Sequence, residues 1–278
     1  MFIMRRPTAL LPALLALLPL CISSFTPNPR RNPIATKLHL SSQSIPTAQS
    51  RDKQAIAGIK SALSLPKPTL IECEFPPLLE LNKLGDGSLR SSLQAEDANV
   101  AFVSKLVREI GIPLIGPKVN VLVSSSASGS FLGKIKSKVK SGVRSLKDEG
   151  AVKDLGKNDV CVVLTPSSTK DYRIAKELAE GGFKTVIVNG LFKDPKSIPP
   201  FATMAYYLKP LTYNSQVSGY LIRQYPNPWT VVDTTNKVLG KFTDKEILVD
   251  KTNTPDLRNS VRLAQKNADE KAIRDRAR

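Results

Sequence analysis

The segment SASGSFLGKIKSK, residues 126–138, has the residue types of a phosphate-binding loop. It follows the apolar run VNVLVSS, which predicts a buried strand, and it brings Gly129 and Gly133 up to Lys134 before a helical pattern. A Walker loop needs four residues between its glycines and a Ser or Thr after the lysine. Here three residues intervene and an isoleucine follows the lysine. We therefore interpret the segment as a turn into a basic helix, and keep Ser128, Gly129 and Lys134 as candidate ligand-binding residues.

Other polar residues stand where predicted strands end. The apolar runs LIECEF, DVCVVLTP and KTVIVNG predict three further strands, and ligands of a parallel α/β sheet bind beyond the carboxyl ends of its strands. Glu72 and Glu74 are two residues apart, so they face the same side of a strand and form a candidate carboxylate pair. The candidate anion-binding residues at the other strand ends are Thr165, Ser167, Ser168 and Asn189. Such residues also cap helices and form turns, and that alternative stays open.

The stretch GYLIRQYPNPWTVV, residues 219–232, holds the last two candidates, Arg223 and Trp229. Trp229 is the only tryptophan and stands at the start of a predicted strand. It could stack on a ligand, or it could pack in the core as most such residues do. No RNA-binding aromatic signature accompanies it, so we predict no specific nucleic acid partner.

A Ser-His-Asp or Cys-His catalytic site in the predicted mature protein would lack its histidine base. The only histidine, His39, lies in the predicted targeting region, and there is no Cys/His cluster with metal-ligand spacing. Cys73 and Cys161 lie in apolar runs, where thiols usually behave as small hydrophobes, with a disulfide between them as the alternative. We predict no cofactor and favour a non-enzymatic protein, although carboxylates and lysines suffice for some reactions.

Strand and helix alternate through most of the chain, which predicts an α/β fold. Helical patterns cover residues 47–64 and 88–110, and a third helix runs from a cap at 167–169 to Ala179. The continuous apolar strands predict a mostly parallel sheet covered by helices on both faces. The runs FATMAYYLKPL, VSGYLIRQY and WTVVDT predict an antiparallel C-terminal addition. We assign residues 47–240 to one domain and 241–278 to a charged, predicted helical extension.

The charge is strongly basic and is unevenly distributed. The chain has 41 Lys and Arg against 24 Asp and Glu, a net charge of +17. Residues 1–50 hold five basic and no acidic residues, which leaves 36 basic and 24 acidic residues elsewhere, a net +12. A net charge of this sign favours anionic partners. The basic element after the opening segment, a candidate for contact with phosphate or lipid head groups, consists of Lys134, Lys136, Lys138, Lys140, Arg144 and Lys147.

The N-terminal region has the pattern of a two-part targeting sequence. Residues 1–24 combine a positive start, an apolar stretch broken by prolines and a small-residue cleavage site, which predicts a signal peptide. Residues 25–46 are basic, free of acids and rich in Ser, Thr and Pro, as plastid transit peptides are. A signal peptide followed by such a segment resembles the presequences of algae with complex plastids. Plain secretion and a membrane anchor are the alternatives.

Five stretches resemble, in order, the landmarks of the family called domain of unknown function 1995, found in cyanobacteria and plastids. They are LIECEFPPL, VVLTPSS, VIVNGLFKD, YYLKPL and GYLIRQYPNPWTVV, spanning about residues 50 to 240, and the closing Arg, Tyr-Pro and Trp run is the strongest. In that family the fourth strand commonly ends in Asn-Pro, whereas Gly190 follows Asn189 here. Plant members include a stromal factor for photosystem II accumulation, and one architecture carries an adenylate kinase beside the domain.

The resemblance implies a plastid protein of the low photosystem II accumulation type, in the stroma or at the thylakoid periphery. The expected partner is a photosynthetic membrane-protein complex or assembly intermediate, with anionic thylakoid lipid as a possible second partner. A phosphate- or nucleotide-binding α/β protein with phosphoryl chemistry is the alternative. Neither the client, the ligand nor the oligomeric state follows from the residues.

Overall fold

Apolar runs separated by amphipathic segments build one mixed sheet with helices packed on it. The computed structural model describes residues 44–67, 70–78, 89–111, 117–191, 198, 201–249 and 252–277. The predicted signal peptide, and the transit-like segment except for residues 44–46, lie outside the described residues. All described residues belong to one compact unit.

The described residues form six helices and nine strands. In chain order they are α1 (Ala48–Leu63), β1 (Leu70–Glu74), α2 (Leu89–Ile110), β2 (Val119–Val123), α3 (Gly129–Lys138), β3 (Gly142–Ser145), β4 (Val160–Leu164), α4 (Thr169–Glu180), β5 (Lys184–Val188), β6 (Thr203–Tyr213), β7 (Gln216–Gln224), β8 (Trp229–Asp233), β9 (Val238–Phe242), α5 (Asp244–Ile247) and α6 (Leu257–Arg276).

The nine strands form one sheet in the order β3-β2-β4-β5-β1-β6-β7-β8-β9. The strands from β3 to β6 are all parallel, and β6 to β9 pair antiparallel. This confirms the predicted α/β class, the mostly parallel sheet and the antiparallel C-terminal part. The short strands β3 and β9 were not predicted, because GVRS and VLGKF lack the continuous apolar run that identified the others.

The opening segment departs from the prediction. The turn lies at residues 125–126, and α3 already begins at Gly129, where the Ser128 hydroxyl accepts a hydrogen bond from the Phe131 amide at 3.1 Å. Gly133 and Lys134 are therefore inside the helix and not in a loop before it. The predicted basic helix ends at Lys138, and Arg144 belongs to β3.

The side chains of the parallel strands divide between two hydrophobic clusters, because successive strand residues point to opposite faces of a sheet. Val121, Val162 and Val186 pack with the apolar stripes of α1, α2 and α3. Leu122, Val163 and Ile187 pack with α4. The approach of α1 to the sheet is close at Gly58, where a Cβ would lie 2.3 Å from the Ala205 carbonyl oxygen.

A third hydrophobic cluster lies on the antiparallel strands. Its buried residues include Trp229, Leu221 and Val231 from the strands, Ile247 from α5 and Ala264 from α6. The C-terminal helix predicted from the sequence is present, and it packs along β6 to β9 through its few apolar residues. None of the described helices has the length and apolar character needed to span a bilayer.

Candidate functional site

The chain reverses its direction of travel across the sheet between β2 and β4. From β2 it passes through α3 outward to β3, and from β4 it passes through α4 the other way to β5. The two helices join different hydrophobic clusters, so their N-termini flank the carboxyl ends of these two adjacent strands. Open α/β sheets bind their ligands at such a topological switch point. This position, here called the switch-point crevice, is the candidate site that the fold itself defines.

A buried carboxylate, Asp171, fills the switch-point crevice. The residue is 0 % exposed. Its oxygens accept hydrogen bonds from the Ser124 hydroxyl at 2.8 Å, the Ser167 amide at 3.1 Å and the Ser125 amide at 3.3 Å. The hydroxyls of Ser124, Ser126 and Ser167 are themselves linked by hydrogen bonds. The donors that face the crevice are therefore largely engaged by the protein's own anion.

The hydrogen bonds keep the carboxyl group of Asp171 charged. Burial alone raises the pKa of a carboxyl group, because it penalises the charged form. At Asp171, bonds from the Ser167 amide and from Ser125 and Ser124 outweigh burial, and the pKa lies below its usual value. The position of Asp171 in the first turn of α4 adds the favourable field of a helix N-terminus.

Asn189 joins the ends of two neighbouring strands to α2. Its side-chain oxygen accepts from the Phe75 amide at 2.9 Å, and its side-chain nitrogen donates to Asn99 at 2.8 Å. Its own amide donates to the Cys73 carbonyl. Asn189 and Thr165 both adopt positive φ, 49° and 47°, where each strand ends. These two predicted site residues therefore shape the strand ends.

Gly190 is required by the tyrosine that packs against it. A Cβ at this position would lie 1.8 Å from the Tyr172 hydroxyl oxygen and 2.9 Å from its ring carbon. Tyr172 is a core residue of α4, so it has little room to move. The glycine that follows Asn189 is thus a packing requirement of this chain.

Glu72 and Glu74 share the face of β1 that lies towards α4 and the third cluster. Glu72 is 4 % exposed, and the Asn253 side-chain amide donates to one of its oxygens. Burial and then the charges of both glutamates raise the pKa values of Tyr172 and Tyr207 above the usual range. The predicted same-side arrangement places both carboxylates near the buried tyrosines Tyr172 and Tyr207.

A buried arginine, Arg51, closes the carboxyl end of β1. It is 3 % exposed and lies 4.5 Å from the centre of the Phe75 ring. Its guanidinium donates to the carbonyl oxygens of Pro76 and Pro77 at 2.9 and 2.7 Å and to the Asp52 carboxylate at 2.6 Å. Lys105 of α2 donates to the other oxygen of Asp52 at 2.7 Å. These contacts tie α1 to α2 and to the loop after β1.

Lys134 is paired with acidic residues of the neighbouring helix. Its ammonium lies 2.7 Å from an Asp97 oxygen and 4.0 Å from a Glu96 oxygen, both on α2. The hydrogen bond to Asp97 raises the pKa of Lys134 above its usual value. The lysine that most resembled a phosphate ligand in the sequence is thus directed at α2.

Arg223 and Trp229 form a second buried group, remote in topology from the crevice because it lies in the antiparallel strands. Trp229 is 0 % exposed, and its indole nitrogen donates to Asp244 at 2.6 Å. Arg223 donates to the same carboxylate at 3.1 Å and to the Asn227 carbonyl. Burial lowers the pKa of Arg223 from its usual value. The ring of Trp229 packs 5.3 Å from that of Tyr207, as a core residue does.

The described residues hold no group of three or more His, Cys, Asp or Glu side chains that could bind a metal ion. Cys73 and Cys161 are both buried and free, and burial raises the pKa of the Cys161 thiol to about 11. Neither is therefore an accessible thiolate at neutral pH.

The structure adds one residue that the sequence did not single out, Asp171, to the serines Ser124 and Ser126 at the predicted end of β2. The signal for Asp171 is the run Ser168-Thr-Lys-Asp, which has the spacing of a capping box. The Ser168 hydroxyl does accept from the Asp171 amide at 3.2 Å, while the carboxylate reaches across to the loop after β2. No sequence signal identifies Arg51.

Comparisons of the chain with models of protein families, with curated proteins and with solved structures find no match.

Proposed function

We propose that this chain is a non-enzymatic plastid protein that assists photosystem II assembly or accumulation by binding. The observation that carries the proposal is the occupied switch-point crevice. Asp171 uses the hydroxyl and amide donors that would otherwise hold an anionic ligand, and its charge repels a phosphate there. A fold whose usual ligand site is filled by its own side chain is better suited to act through its surface.

The surface and the N-terminal region supply the rest of the proposal. The net +12 outside residues 1–50 favours a partner with negative charge, such as the stromal face of a nascent membrane protein or anionic thylakoid lipid. The signal and transit-like segments support delivery to a complex plastid. The division of strand side chains between the α1–α3 and α4 clusters supports a parallel sheet covered on both faces.

Purification of the tagged protein from gently solubilised plastids, with low-salt and high-salt washes, tests this function. We expect photosystem II subunits or assembly intermediates to be retained above an untagged control, and retention to fall at high salt because surface charge pairs are screened. A protein that comes out free of complex subunits at both salt concentrations would contradict the proposal.

A phosphate- or nucleotide-binding role is the second candidate, and the first turn of α3 is the observation that favours it. A Cβ at Gly129 would meet nothing within 4 Å, so an anion can approach the helix N-terminus there. Thermal stabilisation by ATP, ADP or inorganic phosphate that is lost in Lys134→Ala would establish this role. We expect no stabilisation, since Lys134 is held by Asp97 and the neighbouring crevice holds Asp171.

A further inference from the structure

The amino ends of the parallel strands carry a row of exposed lysines. Each of five adjacent strands begins at, or within three residues of, a lysine. In sheet order from β3 to β1 these are Lys140, Lys118, Lys157, Lys184 and Lys67, here called the lysine row, and all five are exposed. Because neighbouring strands are about 4.8 Å apart, the row extends over roughly 19 Å.

The strand register places the row at one end of the sheet. Asn120 pairs with Gly142, and Val160 pairs with both Val119 and Lys184. Lys184 therefore lies level with Val119 and Val160, the first residues of β2 and β4, and Lys118 and Lys140 lie beside each other one residue further towards the amino end. On the β4 side Lys118 is followed by the buried Asp159, and Lys157 comes two residues before that aspartate. The carboxyl ends of the same strands, with the switch-point crevice, lie at the opposite end.

Most lysines of the row make no hydrogen bond or ion pair with the described part of the protein. Lys184 donates to the Leu63 carbonyl at the end of α1 at 2.8 Å. The side chains of the other four make no hydrogen bond or ion pair with any described residue. Glu109 and Glu180, at the ends of α2 and α4, are paired: Glu109 lies 2.6 Å from Lys60, and Glu180 lies 3.8 Å from Lys176. Asp159 is buried and accepts from the Asn120 side chain and the Gly156 amide. With Asp159 and the exposed Asp154 counted, the five lysines still exceed the acids beside them. The row therefore presents a net positive charge.

Cations near helix C-termini are an ordinary feature, since they offset the helix dipole. The contact of Lys184 with α1 is of that kind. Lys140, directly after the C-cap of α3, lies in such a field as well. Lys118, which the register places beside Lys140, comes eight residues after Ile110, where α2 ends, and has no carbonyl partner among the described residues.

We propose that the lysine row is a docking surface for an anionic lipid bilayer. Five exposed cations along one end of a sheet can face an extended charged surface, whereas single-stranded nucleic acid is held in a groove with aromatic stacking. Phe183, the aromatic residue next to Lys184, packs into the α4 cluster and offers no such platform. Lysine is also a hydrated point charge, suited to head groups without fixed geometry. The inference rests on the proposed membrane-associated function and names the surface for it.

Lysine footprinting on the full-length chain tests the proposal. The protein is acetylated with a limiting amount of reagent, alone or with vesicles of equal parts phosphatidylglycerol and phosphatidylcholine, of pure phosphatidylcholine, or with polyuridylic RNA. We expect the lysine row to be protected several-fold by the anionic vesicles alone. The exposed lysines Lys170, Lys209 and Lys241, on other parts of the surface, should stay reactive.

Matched triple variants give the second measurement. Lys118→Gln, Lys140→Gln and Lys157→Gln together should weaken the anionic-lipid-dependent part of vesicle binding about a hundredfold, since each lysine near an anionic surface contributes about a factor of five. Lys170→Gln, Lys209→Gln and Lys241→Gln remove the same charge and should change it little.

Three results would overturn the lipid surface: equal losses in the two triple variants, an unprotected row, or protection by RNA and not by vesicles. Each is distinct from failure of the proposed function. Protected lysines in a protein that retains no photosystem subunits would reject the client and keep the lipid surface. If photosystem subunits were retained while the lysine row stayed unprotected, the lipid surface would be rejected and the proposed client would be kept.

Discussion

The two ends of the parallel sheet differ in where they place their basic side chains. At the carboxyl end, Arg51 and Asp171 are buried and hydrogen-bonded to backbone and side-chain groups that lie far away in sequence. At the amino end one buried pair, Asn120 and Asp159, is bonded in the same way, but the five basic side chains of the lysine row are exposed. The difference shows that a polar residue at the usual ligand-binding end of an α/β sheet can be structural. In our proposal, the exposed lysines at the other end bind the anionic lipid surface.

Arg51 should show the largest effect on stability. Arg51→Ala removes the donors to two backbone carbonyls and leaves Asp52 buried with Lys105 alone, so we expect a loss of about 4 kcal/mol in the free energy of unfolding. Urea denaturation followed by the fluorescence of Trp229, the only tryptophan, measures it. Lys53→Ala, an exposed position on the same helix, is the control and should be nearly neutral. A small loss at Arg51 would show that this end of the sheet is not closed as described.

Asp171 should show the next largest effect. Asp171→Asn replaces an acceptor with an amide that faces donors, so we expect a loss of about 3 kcal/mol at neutral pH in the same assay. The exposed Asp269→Asn is the matched control.

The pH dependence of the Asp171 variant checks the cause. Because the pKa of Asp171 is lower in the folded protein than its ordinary value of 3.8, the stability that its charge contributes is fully present above that value. It is lost as the pH falls through the folded-state pKa. The difference between wild type and Asp171→Asn should therefore be constant from neutral pH to mildly acidic pH and shrink only in strong acid. A difference that shrank near neutral pH would assign Asp171 a raised pKa and the different chemistry of a proton donor.

Ser124 should contribute less than Asp171, because its removal leaves two amide donors on the carboxylate. Ser124→Ala loses one hydroxyl bond to Asp171 and the acceptor for the Ser126 amide, and we expect about 1 kcal/mol in urea denaturation. Ser130→Ala, exposed on α3, is the control. If both serine variants were neutral, the crevice hydroxyls would be free to serve a ligand, which would favour the phosphate-binding alternative.

The lysine row should show the smallest effect on stability. The triple variant Lys118→Gln, Lys140→Gln and Lys157→Gln should shift the melting temperature by less than about 2 °C, because exposed side chains without partners contribute little to folding. Differential scanning calorimetry measures this shift. A larger loss would mean that these lysines stabilise the helix and strand ends, and the contrast between the two ends of the sheet would disappear.

The sequence by itself determined the elements whose signals are local. The Val- and Ile-rich runs identified β1, β2, β4 and β5, because continuous apolar residues can be satisfied only in a buried strand. Hydroxyl residues marked two helix starts to within a few residues, and the structure places the N-caps at Thr47 and Ser168, whose side chains accept from amides three residues onward. The short edge strands β3 and β9 were not predicted, because edge strands need little apolar surface and so lack a continuous apolar run.

Only the tertiary structure decided which polar residues meet. Asp171 is 46 residues from Ser125, and Arg51 is 25 residues from Pro76, so no local pattern could pair them. Each lysine of the row is, in the sequence, a charge at or shortly before the start of one strand, and only the parallel arrangement of five strands brings them to one end of the sheet. Hydrophobic periodicity is a property of neighbouring residues, whereas a crevice and a charged edge are properties of strand order, which long-range packing sets.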